Sequence, residues 1–203
     1  GLQALILTPT RELAQQVHKD LVTFSSHKRI HMAVVYGGVA MNPQVQSVRH
    51  ADVVIATPGR LLDHLQRQTV NLSQVRILVL DEADRMLDMG FIRDVERIMK
   101  GCPQNKQTLF FSATLAREIK ELARRYMKSP VEVSAPTHVD PSKLKQVYYD
   151  VPHKMKLDML LHLLEQERTG LVLVFCNTRR TTNIVARTLR DFGIDAVPIH
   201  GGL

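Results

Sequence analysis

Apolar residues fall into short unbroken runs, separated by longer stretches in which apolar positions recur every three or four residues. The runs at residues 4–7, 31–36, 52–56, 77–80 and 108–111 predict strands. They show little polar alternation, as expected of parallel strands covered on both faces. Between them the spacing becomes helical. From residue 9 to 25, Leu13, Val17, Leu21 and Phe24 share one helical face. Further helices are predicted over 42–50, 58–67, 91–100 and 115–127. Strand and helix alternate throughout, so the expected fold class is α/β, a parallel sheet flanked by helices.

The alternation breaks in "SAPTHVDPSK", residues 134–143, where two prolines and small polar residues mark a linker. A second series follows: strand 146–151, helix 154–166, strand 171–175, helix 181–192 and strand 196–199. It is too short to complete a doubly wound sheet. The expected organisation is a nearly complete first lobe over 1–134, a linker over 135–143, and a truncated second lobe over 144–203. The chain opens almost directly into a strand and closes at "IHGGL" just after another. A piece of a longer protein is therefore expected.

Composition narrows the class. At 203 residues with 44% hydrophobic content, the chain suits one large or two modest cored domains and not a disordered segment. No apolar run approaches a membrane span, and no signal peptide opens the sequence. Cys102 and Cys176 stand far apart and match no metal spacing. The default setting is reducing: cytoplasmic, or nuclear or nucleolar in a eukaryote. A formal net charge of +7 is a weak pointer to a polyanionic partner.

In open α/β sheets, ligands bind beyond the carboxyl ends of the strands. Those ends carry Thr8-Pro9-Thr10-Arg11, Gly37-Gly38, Thr57-Pro58-Gly59-Arg60, Asp81-Glu82-Ala83-Asp84 and Ser112-Ala113-Thr114. All are expected on one rim. Two of them read strand, Thr-Pro-x-Arg, helix; the threonine suits an N-cap and the proline the first helical position. An arginine in a helix's first turn opposes the macrodipole. Having it twice suggests an anion held by guanidinium and helix N-terminus together. The alternative is that each arginine pairs with a nearby acid, Glu12 for Arg11. Gly38 fits a backbone passing close to a ligand, although most Gly-Gly pairs are turns.

The basic chain also runs "ILVL" straight into Asp81, Glu82 and Asp84. A buried strand ending in Asp81 would offer a carboxylate to Mg²⁺, usually through water. Glu82 beside it could orient or deprotonate an attacking water. The competing reading makes Asp81 or Asp84 a cap of the next helix, with Glu82 solvated in its first turn.

The set is more specific than any member. "PTRELA", "GG", "TPGR", "DEAD" and "SAT" occur in this order, and "VFCNT" at 174–178 follows. This series resembles the DEAD-box RNA helicases over essentially the whole chain. The resemblance implies RecA-like lobes, with ATP in the cleft between them and RNA across the rim of both. It implies that Asp81 binds magnesium, that Glu82 positions the hydrolytic water, and that Asp84 helps hold the closed state. Ser112 and Thr114 would link the nucleotide site to unwinding. Pro9, Thr10, Arg11, Gly37, Gly38, Thr57, Pro58, Gly59 and Arg60 would grip the sugar-phosphate backbone. Asn177, Thr178 and Arg179 would be counterparts in the second lobe, although Asn177 or Thr178 also suits a plain helix cap.

The sequence departs from that family in lacking a G-x-x-x-x-G-K-[ST] loop, the adenine-reading glutamine motif and the later arginine-bearing motifs. The 203 residues alone are therefore expected neither to hydrolyse ATP nor to unwind RNA. Besides an ATP-dependent RNA helicase, a non-catalytic RNA-binding module fits the same rim. A metal-dependent nuclease or phosphatase ranks last, because no second carboxylate or histidine cluster accompanies Asp81 and Glu82. Nothing in the residues tests for the 2′-hydroxyl, so the choice of RNA follows the resemblance.

Overall fold

Ala4–Leu7 (β1), Met32–Val35 (β2), Val53–Ala56 (β3), Ile77–Leu80 (β4) and Gln107–Phe110 (β5) pair in parallel in the order β2-β3-β1-β4-β5. The computed structural model describes residues 1–135, 145–166 and 170–202. The chain divides into two units, Gly1–Ser134 and Ala135–Leu203, and this sheet belongs to the first. Its strands are joined by α1 (Arg11–Phe24), α2 (Met41–Val48), α3 (Pro58–Gln66), and the pair α4 (Ala83–Asp88) and α5 (Ile92–Gly101); α6 (Arg117–Tyr126) follows β5.

The apolar runs become the core. Leu5, Leu7, Ile55, Leu78 and Leu80 are fully buried between the helix layers. Each such side chain contributes about 1.5–3 kcal/mol relative to exposure. The helices turn matching stripes inward: Leu61 and Leu62 from α3, Val95, Ile98 and Met99 from α5, Ile119 and Leu122 from α6. The five strands lie within a few residues of their predicted spans. The six-residue α4 is too short to show a helical period, and the pattern did not separate it.

Register decides what the sheet presents. Val35, Ala56, Leu7, Leu80 and Phe110 are aligned across the strands at their carboxyl ends. The ladder runs one residue further. Thr57 N donates to Val35 O, Thr8 N to Ala56 O, Asp81 N to Leu7 O and Phe111 N to Leu80 O, all at 2.8–2.9 Å. Thr8, Thr57, Asp81 and Phe111 therefore leave the sheet at one level, about 4.8 Å from strand to strand.

In the second unit, a 3₁₀ turn at His153–Met155, α7 (Lys156–Gln166) and α8 (Arg179–Asp191) are formed. The strands expected at 146–151, 171–175 and 196–199 are not: among the described residues these segments join no ladder. Leu171 is 88% and Phe175 92% exposed. An apolar run becomes a strand only when a neighbour takes its backbone N–H and C=O groups, and none does here. The expected linker 135–143 lies, from residue 136 onward, outside the described residues.

Candidate functional site

The two Thr-Pro-x-Arg turns sit side by side, since β1 and β3 are neighbours. They enter their helices differently. In the second, Thr57 is the N-cap and Pro58 the first helical residue, as expected. In the first, the cap is Thr10, whose hydroxyl accepts from Leu13 N at 3.3 Å, and the helix begins at Arg11. Buried Thr8 donates its hydroxyl to Thr10 O at 3.2 Å, which curls Pro9 outside the helix. The two arginines therefore do not share an offset.

Nor do they share an environment. Arg11 is exposed and contacts Glu12 Oε1 through Nε at 3.0 Å and Nη2 at 2.9 Å. The acid partner considered for it from sequence is thus present. Glu12's own backbone amide, then Arg11 and more distantly Arg85, hold its carboxyl below the ordinary range. Arg60 is only 14% exposed. Its Nη1 donates to Val39 O at 3.0 Å, and its Nε lies 3.7 Å from Asp63 Oδ2.

At the end of β4, Asp81 is half-buried. Its Oδ1 accepts from Glu82 N at 3.0 Å. Burial raises its pKa, against that amide bond, and the neighbouring Glu82 charge adds to the rise. Glu82 is the residue before α4 and adopts left-handed backbone, φ 50°, with no side-chain capping bond. Its carboxylate lies 3.5 Å from Arg85 Nη1. Neither Asp81 nor Asp84 caps α4. A non-glycine residue held at positive φ costs of order 1–3 kcal/mol and clusters at functional positions.

Asp84 joins this turn to the end of β5. Its Oδ2 accepts from Thr114 N and Thr114 Oγ1, and its own amide donates to Ser112 Oγ. Ser112 Oγ in turn donates to Thr114 O at 2.7 Å, and Ala83 N donates to Phe111 O at 3.0 Å. Burial acts against the Asp84 charge. The bonds from Thr114 and from the Arg85 amide outweigh it and hold the carboxyl below its usual pKa.

Gly37 and Gly38 follow β2 as an exposed turn, with Gly38 at φ +83°. The turn is framed by three residues that sequence reasoning missed. Gln15 of α1 donates to the Tyr36 hydroxyl at 2.7 Å. Gln44 of α2 bonds the backbone of Tyr36 and Ala40. The signal for Gln44 was a polar residue one helical turn before Val48, on the buried face of α2. In the second unit, Thr178 caps α8, its Oγ1 accepting from Thr181 N at 3.1 Å, with exposed Asn177 before it and Arg179 as the first helical residue.

These donors bear on which groups the rim could hold. Among the described residues no cluster of three metal-ligating side chains occurs. A carboxylate at a strand end, with one oxygen committed to an amide, still fits Mg²⁺, which keeps several waters and takes one or two carboxylates plus phosphates.

The DEAD/DEAH box helicase family matches residues 1–122. A probable ATP-dependent RNA helicase of Methanocaldococcus jannaschii is 44% identical over all of this chain, which covers 54% of that protein. A DEAD-box ATP-dependent RNA helicase of Bacillus cereus is 39% identical, also over all of this chain, with 39% of its length covered. Among solved structures, a DEAD box protein from the hyperthermophile Methanococcus jannaschii superposes with a TM-score of 0.66 at 43% identity, covering 100% of this chain and 55% of that one. A hypothetical ATP-dependent RNA helicase from Sulfolobus tokodaii gives 0.65 at 32% identity, covering 92% of this chain and 55% of that one. The chain thus spans about half the length of these relatives or less, and it belongs to the DEAD-box helicase family.

Proposed function

We propose that the protein containing this chain is an ATP-dependent RNA helicase that couples Mg-ATP binding and hydrolysis to gripping an RNA backbone and opening short duplexes or remodelling RNA–protein complexes. The observation that carries this reading is the level rim, with Asp81, Glu82 and Asp84 on one strand end beside Ser112–Thr114, and both Thr-Pro-x-Arg turns on adjacent strands. Asp81 would hold the metal, through water. Bound magnesium supplies positive charge that offsets the phosphate oxygens. Glu82 orients the attacking water and takes its proton. Asp84 ties this turn to Ser112 and Thr114, so a shift at one strand end is passed to the next.

RNA lies over Pro9, Thr10, Arg11, Gly37, Gly38, Thr57, Pro58 and Gly59, with Arg60 beneath them and Asn177, Thr178 and Arg179 contributing from the second lobe. Contacts of this kind fix register on phosphates and carry no base sequence, so binding is steeply salt-dependent. The lobes correspond to residues 1–134 and 144–203. No helix among the described residues is long and apolar enough to cross a membrane.

The 203 residues contain no G-x-x-x-x-G-K-[ST] loop. By themselves they retain at most the RNA-binding half of the activity. The test is RNA-stimulated phosphate release by the intact protein and by Asp81→Ala and Glu82→Gln variants. Loss of turnover with RNA binding kept supports the reading; full turnover in Glu82→Gln removes its assigned role. Release of phosphate by the 203-residue chain alone would contradict its inactivity.

A further inference from the structure

We infer that Gln44 is a positioning residue whose side-chain amide sets the Gly37–Gly38 turn for contact with an RNA backbone, an inference resting on the reading of the rim just given. Gln44 is 7% exposed, on a face of α2 that otherwise buries Val48. Its Oε1 accepts from Tyr36 N, and its Nε2 donates to Tyr36 O and to Ala40 O, each at 3.2 Å. β2 is an edge strand of the sheet. Both backbone groups of Tyr36 are thus taken by one side chain, which stands in for a neighbouring strand. The third bond closes the loop from Tyr36 to Ala40.

The loop is held from other sides as well: Arg60 donates to Val39 O, and Gln15 donates to the Tyr36 hydroxyl. Only the tip is left out of this scaffold. Gly37 and Gly38 are exposed, neither amide donates to any described residue, and a Cβ at either would meet nothing within 4 Å. A turn whose flanks are bonded and whose exposed glycine amides donate to no described residue suits a phosphate oxygen, as backbone nests do. An apolar side chain of similar size would fill the space under Gln44 without the cost of burying an amide. What the amide adds is the shape of the loop.

The experiment uses the full-length helicase and fluorescein-labelled oligouridine. Gln44→Met is expected to raise the RNA concentration that half-activates the ATPase about tenfold, equivalent to 1.4 kcal/mol. The rate at saturating RNA stays unchanged, because the carboxylate end of the rim is untouched. The salt slope of binding also stays unchanged, because no cation is removed. Gln44→Glu keeps the acceptor for Tyr36 N but loses both donors, and is expected to move in the same direction; exposed Gln46→Ala is expected to match the parent.

If Gln44→Met lowers only the saturated rate, in step with its folded fraction, the side chain is merely structural and the inference falls. If both Gln44 variants bind normally while Gly38→Val weakens binding, positioning by Gln44 is wrong and the rim reading stands. If Gly38→Val is also silent, the rim reading fails together with the inference.

Discussion

Asp84 and Thr114, thirty residues apart in sequence, meet at one carboxylate oxygen: Thr114 N donates to Oδ2 at 2.8 Å and Thr114 Oγ1 at 3.0 Å. One donor is main-chain and one side-chain, so Asp84→Ala removes both bonds while Thr114→Ala removes only the hydroxyl bond. In a double-mutant cycle of Asp84→Ala and Thr114→Ala, urea unfolding of the first unit is expected to give a coupling energy of about 1 kcal/mol. Additive single mutants would show that the hydroxyl bond contributes nothing. The folded carboxyl titrates below its ordinary value of 3.8. Its contribution is therefore complete above that pH and lost as pH falls through the lower folded value.

Glu82 sits in left-handed backbone that only glycine adopts without cost. Glu82→Ala removes the carboxylate and keeps the strain; Glu82→Gly removes both. A glycine at this position costs more chain entropy on folding, but the relief of positive φ is larger. The glycine variant should be more stable than the alanine variant by about 1 kcal/mol. Both should lack ATP turnover in the intact protein. Thermal unfolding of the two variants checks the order, and an alanine variant of equal stability would mean the backbone relaxes when the side chain is cut.

The first sheet was legible because its strands are buried on both faces, so that "ALIL" and "ILVL" needed no partner in view to be recognised. Strand ends then named the rim, since register puts Thr8, Thr57 and Asp81 at one level. The strand order was not legible, because which runs become neighbours depends on packing across the whole unit. Nor were the bonds that shape the site: Arg60 to Val39 and Gln44 to Tyr36 join residues whose proximity exists only after α2 and α3 dock. "LVLVF" carries the same apolar signal as "ILVL", yet it forms no ladder, because that signal reports burial potential and not the presence of a partner.

His64 supplies a pH test of the first unit. It is fully buried in α3, with Nδ1 2.8 Å from Thr69 Oγ1. That hydroxyl already donates its single proton to His64 O at 3.0 Å, so Nδ1 carries the ring hydrogen. Nε2 is bare, buried and without a partner among the described residues. Burial first, then the Arg60 and Arg67 charges, lower the ring's pKa from 6.5, with Asp63 opposing. Above pH 6.5 the ring is neutral in both folded and unfolded chains and costs nothing. Below it the unfolded ring gains a proton that the folded one refuses. Stability should then fall by up to about 1.4 kcal/mol per pH unit until the lower folded pKa is reached. Amide exchange in α3 between pH 7 and 5 reads this loss, and His64→Leu should flatten it. A wild-type α3 equally protected across that range would place a proton or a water on Nε2.

Arg11 and Arg60, matched in sequence, should differ on RNA. Arg11 is 53% exposed, and its contact with Glu12 is a solvent-screened surface pair worth little. An RNA phosphate can displace Glu12, and the guanidinium then releases a counterion. Arg60 is enclosed, with its guanidinium on Val39 O, so it acts on RNA through the loop it holds. Arg11→Ala should weaken binding of every single-stranded sequence alike and reduce the salt slope by about 0.7, the value for one phosphate. Arg60→Ala should cost comparable affinity while changing the slope by less than half as much. Anisotropy titrations of the intact protein across a range of salt concentrations separate the two. Equal losses of slope would mean that Arg60 leaves Val39 and reaches a phosphate itself.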